Sequence, residues 1–255
     1  MRAGFLLLIL ALPPIAARAA DAPEPRYTIE RLTSIFENDT PKLQYTYCQN
    51  IRDRRGYTFG FVGFTSGTFD GTMFLQEYIR LNPDNALAGY LPAFQAIDAG
   101  PHDDQGRNPS LAGLSGFPST FRSCANDPAF IQAQQNVADD QYWVPSQRIA
   151  RHIGASLPIT RGELYDTYIN QGEDGAEELV RETNRAMGSA PKNGTDERAW
   201  LAKFLEFRMA LLGSDPTWKN SLDRIRVYQR LLEQGNVGLR KPIRVFCYGD
   251  RFTLK

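Results

Sequence analysis

The stretch from Gly56 to Gly71, GYTFGFVGFTSGTFDG, constrains this chain more than any other. It sets aromatic and β-branched residues between glycines at 56, 60, 63, 67 and 71. Such residues favour extended backbone and glycines break it, so the pattern predicts a ribbon of short strands with tight turns. It is the only clear β signal in the first half of the chain. One small ribbon within otherwise helical periodicity implies a mainly α architecture with a small β-sheet, of the α+β class.

The flanking patterns are helical. Ile29, Leu32, Ile35 and Phe36 recur at the spacing of one helical face, which predicts a helix over 28–38 with Thr28 as its N-cap. Pro41 stands where helices often begin and predicts a second helix from Lys42 to about Ile51. Beyond the ribbon, helices are expected over 72–81 and 87–97, separated by Asn82-Pro83-Asp84-Asn85. The Gly-, Pro- and Asp-rich stretch 99–119 is expected to be a loop and to divide two lobes. Helical patterns return at 128–140, 144–152, 160–170, 175–188, 196–213 and 217–234, with Gly188, Gly213 and Gly235 near three of the ends. A short extended piece, 243–248, closes the chain.

The first twenty residues are of another kind. Arg2, the apolar run from Phe5 to Leu12 and the small residues Ala16-Ala17-Arg18-Ala19-Ala20 follow the order of a secretory signal peptide. The run is too short for a membrane span, which needs roughly 20 residues. Residues 1–20 are therefore expected to be removed, leaving 21–255 as one two-lobed domain, secreted to the periplasm or beyond the cell. Without Arg2 and Arg18, 27 basic residues face 29 acidic ones, a balance that argues against nucleic acid as a partner. Three scattered cysteines, Cys48, Cys124 and Cys247, permit at most one internal bridge. Two histidines and no HExxH leave no metal expected, and no G-x-S-x-G elbow is present.

Hydrolysis of a glycosidic bond needs one carboxylic acid to protonate the leaving oxygen and one carboxylate to act from the other side. Such a pair must face across a groove, and so tends to sit on separate elements. Glu37 at the end of the first helix and Asp53 at the end of the second, just before the ribbon, suit that requirement. Spacing alone singles them out only weakly, because a Glu near a helix end is usually a solvated charge.

The segment Ile51-Arg52-Asp53-Arg54-Arg55-Gly56-Tyr57-Thr58, running into Gly60, Gly63-Phe64 and Gly67-Thr68, resembles the signature of glycoside hydrolase family 46 chitosanases. Phe36-Glu37-Asn38, Gly89-Tyr90-Leu91-Pro92-Ala93, Gln132-Ala133-Gln134 and Tyr248-Gly249-Asp250 resemble further family segments in the family's order. The resemblance implies a lysozyme-like, two-lobed fold with a substrate cleft, and endo-hydrolysis of chitosan with inversion. It places Glu37 on the general acid, Asp53 on the general base and Thr58 on a residue that positions water. Tyr47, Arg55, Gly63, Asp70 and Tyr142 fall on substrate-binding positions, and an acid such as Asp70 can pair with a glucosamine ammonium. Asp166, Arg208 and either Arg224 or Arg226 fall on an ion network behind the acid, with Arg224 the better match. The implied partner is chitosan or its oligosaccharides, bound by a monomer without cofactor.

The chain departs from the family in three places. The stretch between Glu37 and Asp53 is slightly short, Arg54 replaces a common glycine, and Gln171 stands where some relatives use a sugar-binding histidine. Two other functions fit a groove of this kind: a lysozyme-like hydrolase of N-acetylated glycans such as peptidoglycan, and a non-catalytic chitosan-binding protein.

Overall fold

The computed structural model describes residues 25–255; the expected signal peptide lies outside the described residues. The chain opens with helix α1, Arg26–Asn38, and then crosses an irregular segment to a three-stranded antiparallel sheet of β1, Cys48–Gln49, β2, Thr58–Phe59, and β3, Phe64–Thr65. Helices α2, Asp70–Leu81, α3, Leu91–Asp98, α4, Phe117–Ser123, and α5, Pro128–Ala138, follow. A π-helical turn, Asp139–Trp143, leads into α6, Val144–Ile153. Then come α7, Pro158–Met187, α8, Glu197–Gly213, α9, Leu222–Glu233, and a hairpin of β4, Ile243–Cys247, with β5, Asp250–Leu254.

Apolar burial divides the fold into two lobes. The ribbon and α2–α5 enclose one core, in which the buried Phe59 ring lies 5.1–6.1 Å from Phe64, Phe74, Phe94, Phe117 and Phe121. Aromatic pairs at such separations add to the burial of their area. The other lobe joins α1 to α7, α8, α9 and the hairpin, with a satellite cluster formed by α6, α7 and α8. Helix α1 thus precedes the ribbon in sequence yet packs with the C-terminal elements. Tyr142, in the π turn, packs against all three clusters and ties the lobes together.

Three expectations are corrected. Residues 42–47 are irregular, with a turn at Tyr45-Thr46, rather than a helix, and Cys48–Gln49 is a strand. Their backbone groups are claimed from elsewhere: Gln134 Nε2 donates to Tyr45 O, Arg122 Nη1 to Cys48 O and Gly60 N to Tyr47 O. Those long-range bonds, with Leu43 and Tyr45 packed on the ribbon core, override the local helix signal at Pro41. The stretch 99–119 does not divide the lobes, and its last three residues already belong to α4. Asn108 N donates to Gly67 O at 3.0 Å and Asn108 Nδ2 to Ile97 O at 2.8 Å, which binds this loop into the ribbon lobe. Finally, α1 begins at Arg26 with Pro25 before it, so Thr28 lies inside the helix and is buried.

The patterns at 160–170 and 175–188 form one run, α7, broken at Gly172, whose φ of 74° and ψ of −179° are not helical. All three cysteines are buried free thiols. No helix among the described residues is long and apolar enough to cross a membrane, and no metal-ligating group of three or more residues occurs among them.

Candidate active site

Helix α1 delivers Glu37 to the junction of the lobes. The helix stops because Asp39 adopts a left-handed conformation, φ 51°, and donates its N–H to Ile35 O. Asn38 Nδ2 donates to Phe61 O at 3.2 Å, joining this end of the helix to the turn between β2 and β3. The Glu37 side chain is one-third exposed, and its Oε1 accepts from Arg224 Nη2 at 2.5 Å.

Arg224 is the first link of a buried chain of charges. Its Nε and Nη2 also donate to Asp166 Oδ1, at 3.2 and 2.9 Å. Asp166 Oδ2 accepts from Arg208 Nη1 at 2.8 Å, and the same nitrogen donates to Glu163 Oε1 at 2.8 Å. Arg208 also donates to Gln171 Oε1 and Asn170 Oδ1, the two residues just before the break in α7. Asp166, Arg208 and Glu163 are fully buried and Arg224 nearly so. Burial works against the Arg224 cation, but Asp166 and Glu37 more than compensate and hold its proton more firmly than usual. Arg226 is elsewhere: half exposed, it donates to Asp223 on its own helix.

On the other side, Asp53 lies in a turn rather than at a helix end. Arg55 folds back on it, donating N–H to Oδ1 at 3.1 Å and Nε to Oδ2 at 2.6 Å. Arg52 and Arg54 on either side have φ of 61° and 72°, a left-handed backbone that favours glycine. That geometry supplies a physical reason for the glycine common at position 54. Arg54 here lies 3.6 Å from Asp103 Oδ2, on the loop held by Arg107, so its charge is shared with that carboxylate.

The ribbon supplies the floor. Thr58 is buried and its Oγ1 has no hydrogen-bond partner among the described residues, a state that calls for a ligand or water. Gly63, at φ 79°, turns the ribbon, and a Cβ there would lie 3.6 Å from Thr58 Cγ2. Asp70 opens α2, and Thr65 N, Gly71 N and Thr68 Oγ1 donate to its Oδ1. Burial nevertheless pushes the Asp70 carboxyl up to about 6. Tyr47 is half-buried beside β1. The Tyr142 hydroxyl, raised first by burial, also feels the charges of Asp70, Glu37 and Arg55, so these residues share one electrostatic neighbourhood.

Glu163 escaped the sequence reading. The available signal was its place three residues before Asp166 in an apolar run: two acids one turn apart on a buried face require cations.

The sequence model of Glycosyl hydrolase family 46 matches residues 31–243. The chain belongs to that family. Among its relatives is a chitosanase of Bacillus subtilis (strain 168), 35% identical over 238 residues that span 89% of this chain and 83% of the relative. A chitosanase of Streptomyces sp. (strain N174) is 30% identical, over 94% of this chain and 85% of its own. Among solved structures, the complex of a Gynuella sunshinyii GH46 chitosanase with chitotetraose superposes with a TM-score of 0.79 at 36% identity, covering 92% of this chain and 98% of that one. A mutant chitosanase from Bacillus subtilis MY002 complexed with 6 GlcN gives 0.78 at 33% identity, over 90% and 98%. The family 46 fold thus spans nearly the whole described chain, including both candidate carboxylates.

Proposed function

We propose that this chain is an exported endo-chitosanase that hydrolyses β-1,4 linkages between glucosamine units with inversion. The observation that carries the reading is the setting of Glu37: a part-exposed carboxyl at the lobe junction, held at one oxygen by a buried arginine. Its second oxygen is available to a glycosidic oxygen, and the network behind it fixes its direction. Glu37 donates a proton to the leaving oxygen as general acid. Asp53, oriented by Arg55, draws a proton from water that attacks the anomeric carbon from the opposite face, and Thr58 Oγ1 holds that water. Tyr47, Gly63 and Tyr142 line the sugar path, and the second oxygen of Asp70 meets a glucosamine ammonium. Metal or cofactor takes no part in this sequence of steps. Residues 1–20 direct export and are removed, and 21–255 act as a monomeric domain. The relatives named above carry the name chitosanase, and two of their structures hold glucosamine oligomers, which supports the substrate class.

Reducing-end release from chitosan, compared with release from cell-wall glycan, tests the substrate. Glu37→Gln is expected to lower the chitosan rate on the order of 10²–10⁴-fold, with oligosaccharide binding and folding retained. A rate within tenfold of wild type removes Glu37 from the mechanism. Proton magnetic resonance of fresh product is expected to show the α-anomer first; the β-anomer first means retention instead.

A further inference from the structure

Phe69 immediately precedes Asp70, with a backbone that an aromatic residue rarely takes. Its φ is 72° and its ψ −33°, and Asp70 N donates to Thr68 O across it at 2.9 Å. Phe69 is thus the centre of a γ-turn of the rare, strained kind. A bulky residue at positive φ is an outlier, and glycine is what such a position favours. The side chain is also half exposed. Backbone strain and an exposed apolar ring fall on one residue, a combination that folding alone does not reward.

The ring is nevertheless held in one place. His102, from the loop before α4, stacks on one face of it, with ring centroids 4.8 Å apart and planes 15° from parallel. The imidazole is itself seated: Nδ1 donates to Gly100 O at 3.0 Å, and Nε2 is buried. With one face covered and the residue half exposed, the other face of Phe69 is left to solvent. The apolar surface continues along α2. Met73 lies one helical turn on, its N–H donating to Phe69 O, and its side chain is exposed. Gln141 Nε2, from the π turn, donates to Met73 Sδ at 3.0 Å. His102, Phe69, Met73 and Gln141 therefore form a connected row that ends next to Tyr142.

This row borders the candidate cleft. Asp70, the residue after Phe69, feels the charge of Arg55, the arginine that holds Asp53. Tyr142, at the other end of the row, feels both Asp70 and Glu37. A β-1,4-linked glucosamine carries its substituents equatorially, so each ring face presents axial C–H groups, an apolar surface that matches a phenyl ring. Its ammonium is drawn to the π face as well. A chain with one ammonium at Asp70 brings a neighbouring sugar over Phe69.

We propose that Phe69 is a substrate-binding residue whose open face stacks on a glucosamine unit adjoining the one held at Asp70, with His102 as its backing. This rests on the reading of the cleft as a chitosan site. The contact is the same before and during bond cleavage, so it acts on affinity rather than on the chemical step. It also accounts for an aromatic residue at a turn that favours glycine: the strain holds the ring out where a sugar can reach it.

Calorimetric titration with a glucosamine hexamer, on a Glu37→Gln background that slows cleavage, supplies the test. Adding Phe69→Gly or Phe69→Ala is expected to weaken binding roughly 3–30-fold, the range of a cation–π contact from exposed to desolvated. Phe69→Tyr keeps the ring and is expected to bind within about twofold of the parent. In chains with Glu37 intact, the loss is expected in KM. Stability is expected to respond the other way: glycine relieves the turn, so Phe69→Gly melts no lower than wild type. Unchanged affinity in both Phe69→Gly and Phe69→Ala, or equal weakening in Phe69→Tyr, overturns the proposal. So does a Phe69→Gly chain that melts well below wild type, since the ring then serves to staple the loop of His102. Should Phe69→Gly fail to fold, that last outcome has occurred. A wild-type chain that neither binds nor cleaves the hexamer overturns the chitosan reading and the proposal with it. One that cleaves the hexamer, with KM unmoved by Phe69→Ala, overturns the role of Phe69 alone.

Discussion

The side chains behind Glu37 illustrate how differently two arginines on one helix can matter. Arg224 and Arg226 are two residues apart on α9, so they point to different faces, and only Arg224 enters the interior. The resemblance favours Arg224 over Arg226, but neither periodicity nor charge can separate them. What separates them is the presence of Asp166 across the interface, a contact 58 residues away in sequence. Substituting Asp166→Asn leaves two buried guanidiniums close together with one carboxylate fewer. The expected loss of stability is about 3–5 kcal/mol, the usual cost of breaking a buried ion pair from one side. Arg226→Ala, which removes a half-exposed pair with Asp223, is expected to change stability by less than about 1 kcal/mol. Urea melts of the two variants check the contrast; equal midpoints mean that the buried chain contributes no more than a surface pair.

At the level of elements, the ribbon was legible because its glycines are demanded by geometry that the sequence cannot disguise. The segment before it was not, since Pro41 and the residues after it satisfy local helix rules while Gln134 and Arg122, far along the chain, take the carbonyls of Tyr45 and Cys48 as acceptors and hold the segment in a non-helical course. Gly71 marks the point where the ribbon meets the aromatic core. A Cβ there would come within 2.5 Å of Thr65 O and 2.6 Å of Phe94 Cε1, and neither the backbone nor the packed ring can yield freely. Gly71→Ala is therefore expected to cost about 1–3 kcal/mol through overpacking. Gly89 serves as the comparison: a Cβ there would meet nothing within 4 Å, and Gly89→Ala is expected to leave the melting temperature nearly unchanged. Thermal melts of both variants distinguish a crowded ribbon from a general intolerance of alanine. A Gly71→Ala protein as stable as wild type means that the ribbon and α2 can part without loss.

Across the whole molecule, the partition into lobes was only partly visible in the sequence. The Gly-, Pro- and Asp-rich stretch 99–119 reads as the divide between two lobes, whereas in the fold α1 leaves the ribbon and joins helices more than a hundred residues later. No local pattern announces such a return. It places the Glu37 network in the lobe of α1 and the C-terminal helices, and Asp70 in the ribbon lobe, and both carry carboxyls held above their ordinary range by burial, Asp70 to about 6 and Glu163 to about 7. The sign of their effect follows from linkage. A carboxyl whose folded value is raised binds its proton more tightly in the folded chain, so it favours the fold at low pH. That contribution is lost as pH rises from the ordinary value, 3.8 for Asp70 and 4.5 for Glu163, through the folded value. Asp103, held down to about 2 first by its bond with Arg107, acts in the opposite sense and protects the fold until strongly acid conditions. Thermal stability is thus expected to peak on the acid side of neutrality and to decline between about pH 5 and 7. Replacing Glu163 with glutamine removes the buried group that must ionise. The variant is expected to match wild type near pH 5 and to exceed it at pH 8 by on the order of 3 kcal/mol, the linkage value of a shift this size. Melting temperatures of the two proteins across that range give curves that diverge toward high pH; parallel curves mean that Glu163 does not ionise as the fold loses stability.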